Sequence, residues 1–425
     1  MKTVAVIGGG AAGMAAAIAA AKAGSQVSLY EKNEKLGKKL FITGKGRCNV
    51  TNASDMKTVM ANIVTNPKFL YGAFRRFSNE DIMKLLEDAG CPLKTERGNR
   101  VFPVSDHSYD VIAALEKELR ENKVRIFLNT AVKKLNVQDG SCSGFVLPDG
   151  SSVSADAVVV STGGLAYPST GSDGDGYLFA RACGHRVTET YPSLVPLVVK
   201  EPECAALQGL SLKNIRISLR ECSAGMSKEI YGEFGEMLFT HFGVSGPVIL
   251  SASSFAGPVL KTRPLKLIID LKPALSEEKL DARLLRDFSE EKNKELKNSL
   301  SALLPSKLIP EVIRQAGTDP DKKIHDLTKE DRAALVGALK GLAFTVTGTR
   351  GYSEAVITKG GIDVKDINPA TMESKIVKNL YFAGEVLDTD ALTGGYNLQI
   401  AWSTGTVAGT AAGTSKEREK GAWNE

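Results

Sequence analysis

The residues with the most specific chemistry stand near the start of the chain, where Gly8-Gly9-Gly10-Ala11-Ala12-Gly13 reads as G-x-G-x-x-G. In that spacing Gly8 permits a tight turn, Gly10 lets main chain approach a pyrophosphate, and Gly13 lets a helix lie close on a strand. The helix that opens at Ala12 and Gly13 points unpaired N–H groups at phosphate. Glu31, 18 residues after Gly13, is placed to accept hydrogen bonds from an adenosine ribose. Together these residues point to a dinucleotide. Glycine-rich turns also occur where nothing binds, so the motif depends on the elements around it.

Those elements are legible. Residues 4–7 are an apolar strand, an Ala-rich helix runs to about residue 23, Gly24 turns the chain, and residues 26–30 form a second strand ending at Glu31. This is a complete βαβ unit. FAD and NAD share it, so the choice rests on distant segments. Residues 156–161 read as a buried strand running into Thr162-Gly163-Gly164, and residues 380–383 as another running into Gly384-Glu385. A second pair of strand ends suits the longer FAD. Gly395, Asn397 and Leu398 then open a last helix of small residues, whose N-terminal amides suit the flavin edge where negative charge grows on reduction. Taken singly, each segment also reads as a strand, a loop and a packing helix.

The chain has 425 residues, 43% apolar and 24% charged, which exceeds one usual domain and excludes a disordered or stapled miniature protein. Lys and Arg number 54 against 49 acids, a net +5, too mild to point to nucleic acid or a membrane. Six cysteines form no CxxC pair and no zinc spacing, so neither a redox dithiol nor a metal site is expected. They read as reduced thiols of a cytoplasmic protein. The apolar start is broken by glycines and carries Lys22, unlike an export signal, and no window approaches the roughly 20 apolar residues that span a bilayer.

Downstream of Glu31-Lys32, the run Lys39-Leu40-Phe41-Ile42-Thr43-Gly44-Lys45-Gly46-Arg47-Cys48-Asn49-Val50-Thr51-Asn52 resembles the BaiN/RdsA family of NAD(P)/FAD-dependent oxidoreductases, also known as YhiN-like flavoproteins. Residues 238–247, Thr358-Lys359-Gly360-Gly361-Ile362 and residues 381–399 are similar to the same family, so the likeness covers most of the chain. It implies an α/β architecture: a glutathione-reductase-like Rossmann FAD domain at 1–190 and 353–425, an inserted β-barrel-like domain at 191–275 and 341–352, and a nested helical domain at 276–340. Periodicity agrees with it. Ile215, Ile217, Leu219 and Leu265, Leu267, Ile269, Leu271 alternate as strands do. From residue 276 the pattern is helical and charged, Thr328 with Asp331 resembles a capping box, and residues 290–297 read as a solvated helical face.

The resemblance also implies roles. Glu31 with Lys32 would serve the adenosine side, and Val132 the adenine, although Val132 reads equally as an ordinary strand residue. Thr43, Gly44, Gly46, Arg47, Cys48 and Asn49 would line the flavin side, with Cys48 a packed thiol in the absence of a partner cysteine. Flavin chemistry needs one proton donor or acceptor, and His241, Tyr352 and Tyr396 are the candidates. A lone histidine is more often structural, and Tyr396 could shield the ring instead. No second G-x-G-x-x-G follows a strand, so NADH or NADPH would enter transiently as reductant. Residues 171–176 are glycine-rich, but Asp173 and Asp175 would repel pyrophosphate.

The expected function is FAD-dependent, NAD(P)H-driven reduction of an activated C=C bond, with an unsaturated 3-oxo bile acid or steroid implied by the resemblance alone. Other FAD-dependent oxidase or dehydrogenase reactions would need a cationic clamp, for which Arg350 is the one attractive residue. An RNA-modifying flavoprotein and a flavin sensor are the other classes. The first would need a coherent basic face, so the expected partner is a small molecule, with no nucleic acid and no membrane. The sequence is compatible with a monomer or a homo-oligomer.

Overall fold

Strand β1 (Thr3–Ile7) is buried from Val4 onward because it lies at the centre of a parallel sheet covered on both faces. In the computed structural model, which describes residues 1–223 and 226–414, that sheet has five strands in the order Leu380–Phe382, Ala157–Val160, β1, β2 (Gln26–Tyr30) and Arg125–Phe127. The pairs β1–β2 and β1 with Ala157–Val160 are parallel, and the last pairs Ile7 with Val160. The next residues, Gly8 and Ser161, therefore abut. Gly8 has φ +101°, and a Cβ there would stand 2.6 Å from the Ser161 carbonyl oxygen.

Helix α1 (Ala11–Lys22) crosses from β1 to β2. Its alanines meet the closing helix, Tyr396–Gly413, along a seam with a repeat of four. Gly405, Gly409 and Gly413 lie on the main chain of Ala12, Ala16 and Ala20 respectively. A Cβ at Gly409 would stand 2.7 Å from the Ala16 Cα. The order of these contacts makes the helices parallel, so both N-termini point the same way. Gly405 is nine residues into its helix and Ala12 one residue into α1, so the closing helix starts about eight residues, or about 12 Å, ahead of α1.

The chain divides into two compact units, Met1–Ser193 with the described part of Tyr352–Glu425, and Leu194–Gly351. Residues 415–425, which the sequence assigns to the returning cofactor domain, lie outside the described residues. In the second unit six strands close into a barrel in the order Leu197–Val199, Gly243–Ser245, Met226–Thr240, Ser211–Ser223, Leu265–Asp270 and Leu342–Thr349. Ile217 and Leu219 face Ile269 and Leu267 in register, and with Ile215 and Leu265 they are buried, as strand alternation requires. The apolar helix Pro247–Leu260 touches all six strands.

Helices Glu277–Ser289, Ile309–Ala316 and Lys329–Lys340 share one continuous core with the barrel. Thr328 and Asp331 form a reciprocal capping box. Residues 290–297 are not a helical face. The helix stops at Ser289, and turns follow in which Lys294 pairs with Glu291 and Lys297 with Glu295 and Asp321, while Leu296 is drawn into the core. Among the described residues no helix is long and apolar enough to cross a membrane.

The seam is testable by paired substitutions. Gly409→Val places two methyl groups against the Ala16 main chain, and overpacking should cost about 2–3 kcal/mol and lower the unfolding midpoint. Gly337→Ala, in a helix where a Cβ meets nothing within 4 Å, should stabilise by about 0.4–1 kcal/mol. Calorimetric scans of both variants check the contrast.

Candidate functional site

The carboxyl ends of β1, β2 and Ala157–Val160 open into a cleft whose empty space, open solvent included, is about 1270 Å³. Its lining runs from Glu31 and Val132 to Asn397 and Leu398, as an extended ligand requires. Its position at strand ends is where open α/β sheets bind ligands. Gly8, Gly10 and Ala12 line it. No side chain caps α1 and its first turn holds no acid, so its N-terminal charge is directed at the cavity. The glycines divide their tasks. A Cβ on Gly13 would strike the Gly8 carbonyl and come 2.7 Å from Ser161 Oγ, whereas a Cβ on Gly10 meets nothing within 4 Å.

Glu31 lines the same wall and is buried. Its Oε2 accepts from the Gly9 N–H at 2.7 Å, and Oε1 accepts from the main-chain and side-chain nitrogens of Asn33 at 2.8 and 2.6 Å. The carboxylate thus braces the glycine turn while an ionised carboxylate's remaining lone pair stays available to a hydroxyl. Lys32, Thr130 and Val132 line this side. Thr162 and Gly163 line the wall between the first strands, and Gly164 packs behind them, its would-be Cβ 3.0 Å from Glu385 Oε1.

Thr43, Glu385, Asn397 and Leu398 also line the cavity, joined by Lys39 and Thr389, which sequence reasoning did not single out. Lys39 Nζ donates to Glu385 Oε2 at 2.6 Å, and the Thr358 N–H donates to Glu385 Oε1 at 2.9 Å. Thr358 Oγ1 in turn accepts from the Leu165 and Ala166 N–H groups at 2.7 and 3.1 Å, tying two strand-end loops together. Gly384 sits behind this wall, where a Cβ would stand 2.6 Å from that of Ala12. The Asn397 side chain clamps the Ala391 main chain at both ends, at 2.8 and 3.0 Å.

The signature segment acts mostly from behind the wall. Asn49, oriented by its neighbours, accepts from the Gly395 N–H at 3.0 Å and donates to the Thr51 carbonyl at 3.1 Å. Thr51 Oγ1 donates to Gln399 at 2.6 Å, Asn52 to the Gly394 carbonyl at 2.9 Å, and Trp402 to the Val50 carbonyl at 2.9 Å. Residues 49–52 therefore hold the start of the closing helix. Arg47 does not line the cavity. Its guanidinium donates to Asp106 at 2.8 and 2.6 Å and to Glu96, and lies 4.1 Å over the Phe102 ring. Cys48 is fully buried, with its thiol pushed up to about 12 by burial. Gly44 and Gly46, both with positive φ, shape this turn and also stand off the cavity wall.

The proposed proton carriers are dispersed. The Tyr396 ring is buried in an apolar cluster with Ile63, Leu70, Phe74 and Ile400, and burial pushes its phenol up. Tyr352 is half-buried, its carbonyl accepting from the Tyr167 N–H at 3.0 Å, and burial raises its phenol as well. His241 belongs to the barrel unit, exposed at a turn with its ring edge-on to Phe242, over which Arg350 lies at 4.5 Å. None of the three lines the cavity.

The donor set fits FAD. Thr162 Oγ1, Ser172 Oγ and Thr389 Oγ1 all belong to residues of the cavity wall, are buried, and have no hydrogen-bond partner among the described residues. Buried hydroxyls are normally paired, and a ligand rich in phosphate, ribose and ribityl oxygens pairs them. The extra 12 Å by which the closing helix leads α1 sets one helix N-terminus beyond the other along such a ligand.

Comparison with known proteins accords with this arrangement. The family model described as the HI0933-like protein Rossmann domain matches residues 2–411. A 3-dehydro-bile acid delta(4,6)-reductase of Clostridium scindens is 33% identical over 418 residues, 97% of this chain and 99% of its own. A ribosomal RNA dihydrouridine synthase of Escherichia coli is 32% identical over 401 residues, 94% of this chain and 95% of its own. Among solved structures, the 3-ketosteroid-delta4-(5alpha)-dehydrogenase of Rhodococcus jostii RHA1 in complex with 4-androstene-3,17-dione shares the fold with a TM-score of 0.53 at 18% identity, over 97% of this chain and 96% of that one.

Two predictions follow from the wall itself. Gly10→Val should leave the apoprotein folded and abolish flavin binding, whereas Gly13→Ala should lower apoprotein stability. Flavin absorbance on purified protein and a melting curve of the stripped protein separate the two. Thiol labelling at pH 8 should modify the exposed Cys222 first and spare Cys48, whose thiolate fraction at a value of about 12 is about one part in ten thousand. Peptide mass mapping reads the order.

Proposed function

The chain belongs to the HI0933-like family, which takes in the BaiN, RdsA and YhiN flavoproteins, and is an FAD-dependent oxidoreductase; from that premise we propose that it reduces a carbon–carbon double bond conjugated to a carbonyl. The observation that carries this reading is the pair of relatives that match nearly the whole chain. One is named for reducing a bile acid whose 3-oxo group activates the double bond, the other for making dihydrouridine. In uridine too the bond that is saturated is conjugated to a ring carbonyl. Saturating a bond so conjugated by hydride transfer calls for a hydride at the carbon remote from the carbonyl and a proton at the carbon beside it.

Bound FAD would supply hydride exchange at the flavin N5, taking two electrons from NADH or NADPH and passing them to the substrate. The chain's own part is to hold, orient and protonate. The glycine turn and the α1 N-terminus would hold the pyrophosphate, and Glu31 would take a ribose hydroxyl. The N-terminus of the closing helix, held by residues 49–52, would serve the flavin edge that gains negative charge. For the proton, Tyr352 is favoured over Tyr396, whose ring is committed to an apolar cluster. Tyr352, its phenol raised by burial, keeps its proton through the neutral range and can donate it.

A small enone is favoured as acceptor over RNA by the barrel hairpin. There Arg216 and Arg220 pair with Glu229 at 3.2 and 3.8 Å, and Arg263 pairs with Glu221 at 3.4 Å, so these arginines do not add up to a phosphate-binding face. The 3-oxo-4-ene of a bile acid or steroid is the proposed class.

The test is an anaerobic titration. NADH or NADPH should bleach the bound flavin, and a conjugated 3-oxosteroid should restore its colour with saturation of one double bond in the product. Reoxidation by uridine-containing ribosomal RNA, and not by any enone, would replace the small-molecule reading with RNA modification. Flavin that neither nicotinamide bleaches would remove NAD(P)H as the donor.

A further inference from the structure

The glycine-rich segment 171–176 carries two acids that, on sequence alone, disqualify it as a phosphate site. The structure nevertheless builds Gly171, Ser172 and Asp175 into the cavity wall. It also supplies what the sequence did not suggest, a single cation shared by both acids. Lys32 Nζ donates to Asp173 at 2.6 Å and to Asp175 at 2.7 Å. Beside it, Asn33 Nδ2 donates to the Thr170 carbonyl at 3.1 Å, while Asn33 is itself held by Glu31. The residues at the end of β2 that follow the expected ribose ligand thus grip a loop that leaves Ala157–Val160, the strand on the far side of β1.

The loop is made to bend. Tyr167, Gly171 and Gly174 have φ of +53°, +92° and +95°, and a Cβ on Gly171 would come 2.5 Å from Asn33 Nδ2. At its centre Ser172 is buried, with a hydroxyl that lacks a partner among the described residues and belongs to the cavity wall. The latch itself is at the surface, with the Lys32 side chain 24% exposed and that of Asp173 50% exposed. Asp173 does not line the cavity. The loop therefore has a polar group turned to the ligand and an electrostatic fastening turned to solvent.

We propose that residues 167–175 are a strap over the adenosine half of bound FAD, fastened by Lys32 between Asp173 and Asp175, with Ser172 as a cofactor contact, and that unfastening sets the rate of cofactor release. Solvent-exposed ion pairs weaken with salt, so release is salt-accelerated. The proposal rests on FAD occupying the cavity and is independent of which substrate is reduced.

The experiment follows the rise of free-flavin fluorescence after dilution of the holoprotein, at low salt and at about 0.5 M salt. Wild-type release should quicken with salt. Asp173→Asn, which removes one ion pair and no cofactor contact, should release FAD about threefold faster at low salt, and Lys32→Met about tenfold faster, both with a reduced salt response. The double variant Lys32→Met with Asp173→Asn should release FAD no faster than Lys32→Met alone, because the lysine is the shared partner of both acids. Ser172→Ala should speed release and leave the salt response intact. Asp173→Asn that keeps both the wild-type rate and the wild-type salt response overturns the strap and leaves the cavity assignment standing. Protein that binds no FAD under any salt condition overturns the cavity assignment and the strap together.

Discussion

Everything in the cofactor unit depends on how closely two helices can approach. Glycines at every fourth position of the closing helix meet alanines at every fourth position of α1, main chain against main chain, with no side chain between them. Ridge packing with ordinary side chains holds helix axes about 8–10 Å apart, and at that spacing the strand-end loops could not converge on one cavity. The seam also sets the stagger of the two N-termini. In the proposed reading one would serve a pyrophosphate and the other a ring system farther along the same ligand, a division that depends on the offset being fixed.

The signature segment 39–52 serves this geometry more than it serves the ligand. Four consecutive residues, Asn49 to Asn52, hydrogen-bond to the stretch 394–402. Arg47 acts one layer farther out. By joining Asp106 and Glu96, it fastens the turn that carries Cys48 and Asn49 to the Leu93–Glu96 and Arg100–Pro103 hairpin. Lys39 and Glu385 do the corresponding work on the cavity wall itself, where an ion pair joins the early segment to the strand end that follows residue 380. A residue type suited to binding phosphate is thus spent on architecture in one case and on the site in the other.

Much of this was legible in the chain. An apolar run followed by G-x-G-x-x-G and an alanine helix has few structural solutions, and the tight turn read for Gly8 and the close helix–strand approach read for Gly13 match the contacts each one makes. The alternation in the barrel strands and the Thr328 cap are equally local signals. What failed to show were relationships across long separations. Arg47 lies 59 residues from Asp106, and nothing near it in sequence announces two carboxylates. The direction of the Tyr396 ring is decided by which face of the closing helix packs on Leu70 and Phe74. Asp173 and Asp175 read as repulsive until Lys32, more than 140 residues away, is brought to them. The run 290–297 has helical composition, and the pull of Leu296 into the core breaks it.

The alanine–glycine seam has a temporal meaning as well as a spatial one. Ser25 and Gly413, joined by a hydrogen bond of 2.8 Å, are separated by 388 residues. During synthesis the nucleotide-binding strands and α1 emerge first, yet the helix that completes their face emerges after residue 396. The unit at 194–351 is continuous in sequence and can fold in the interval, as domains do on the ribosome. A ribosome-bound chain therefore carries a finished barrel beside an unfinished cofactor fold whose alanine face is bare. The cofactor fold is therefore completed only once the closing helix has been made and has docked on α1.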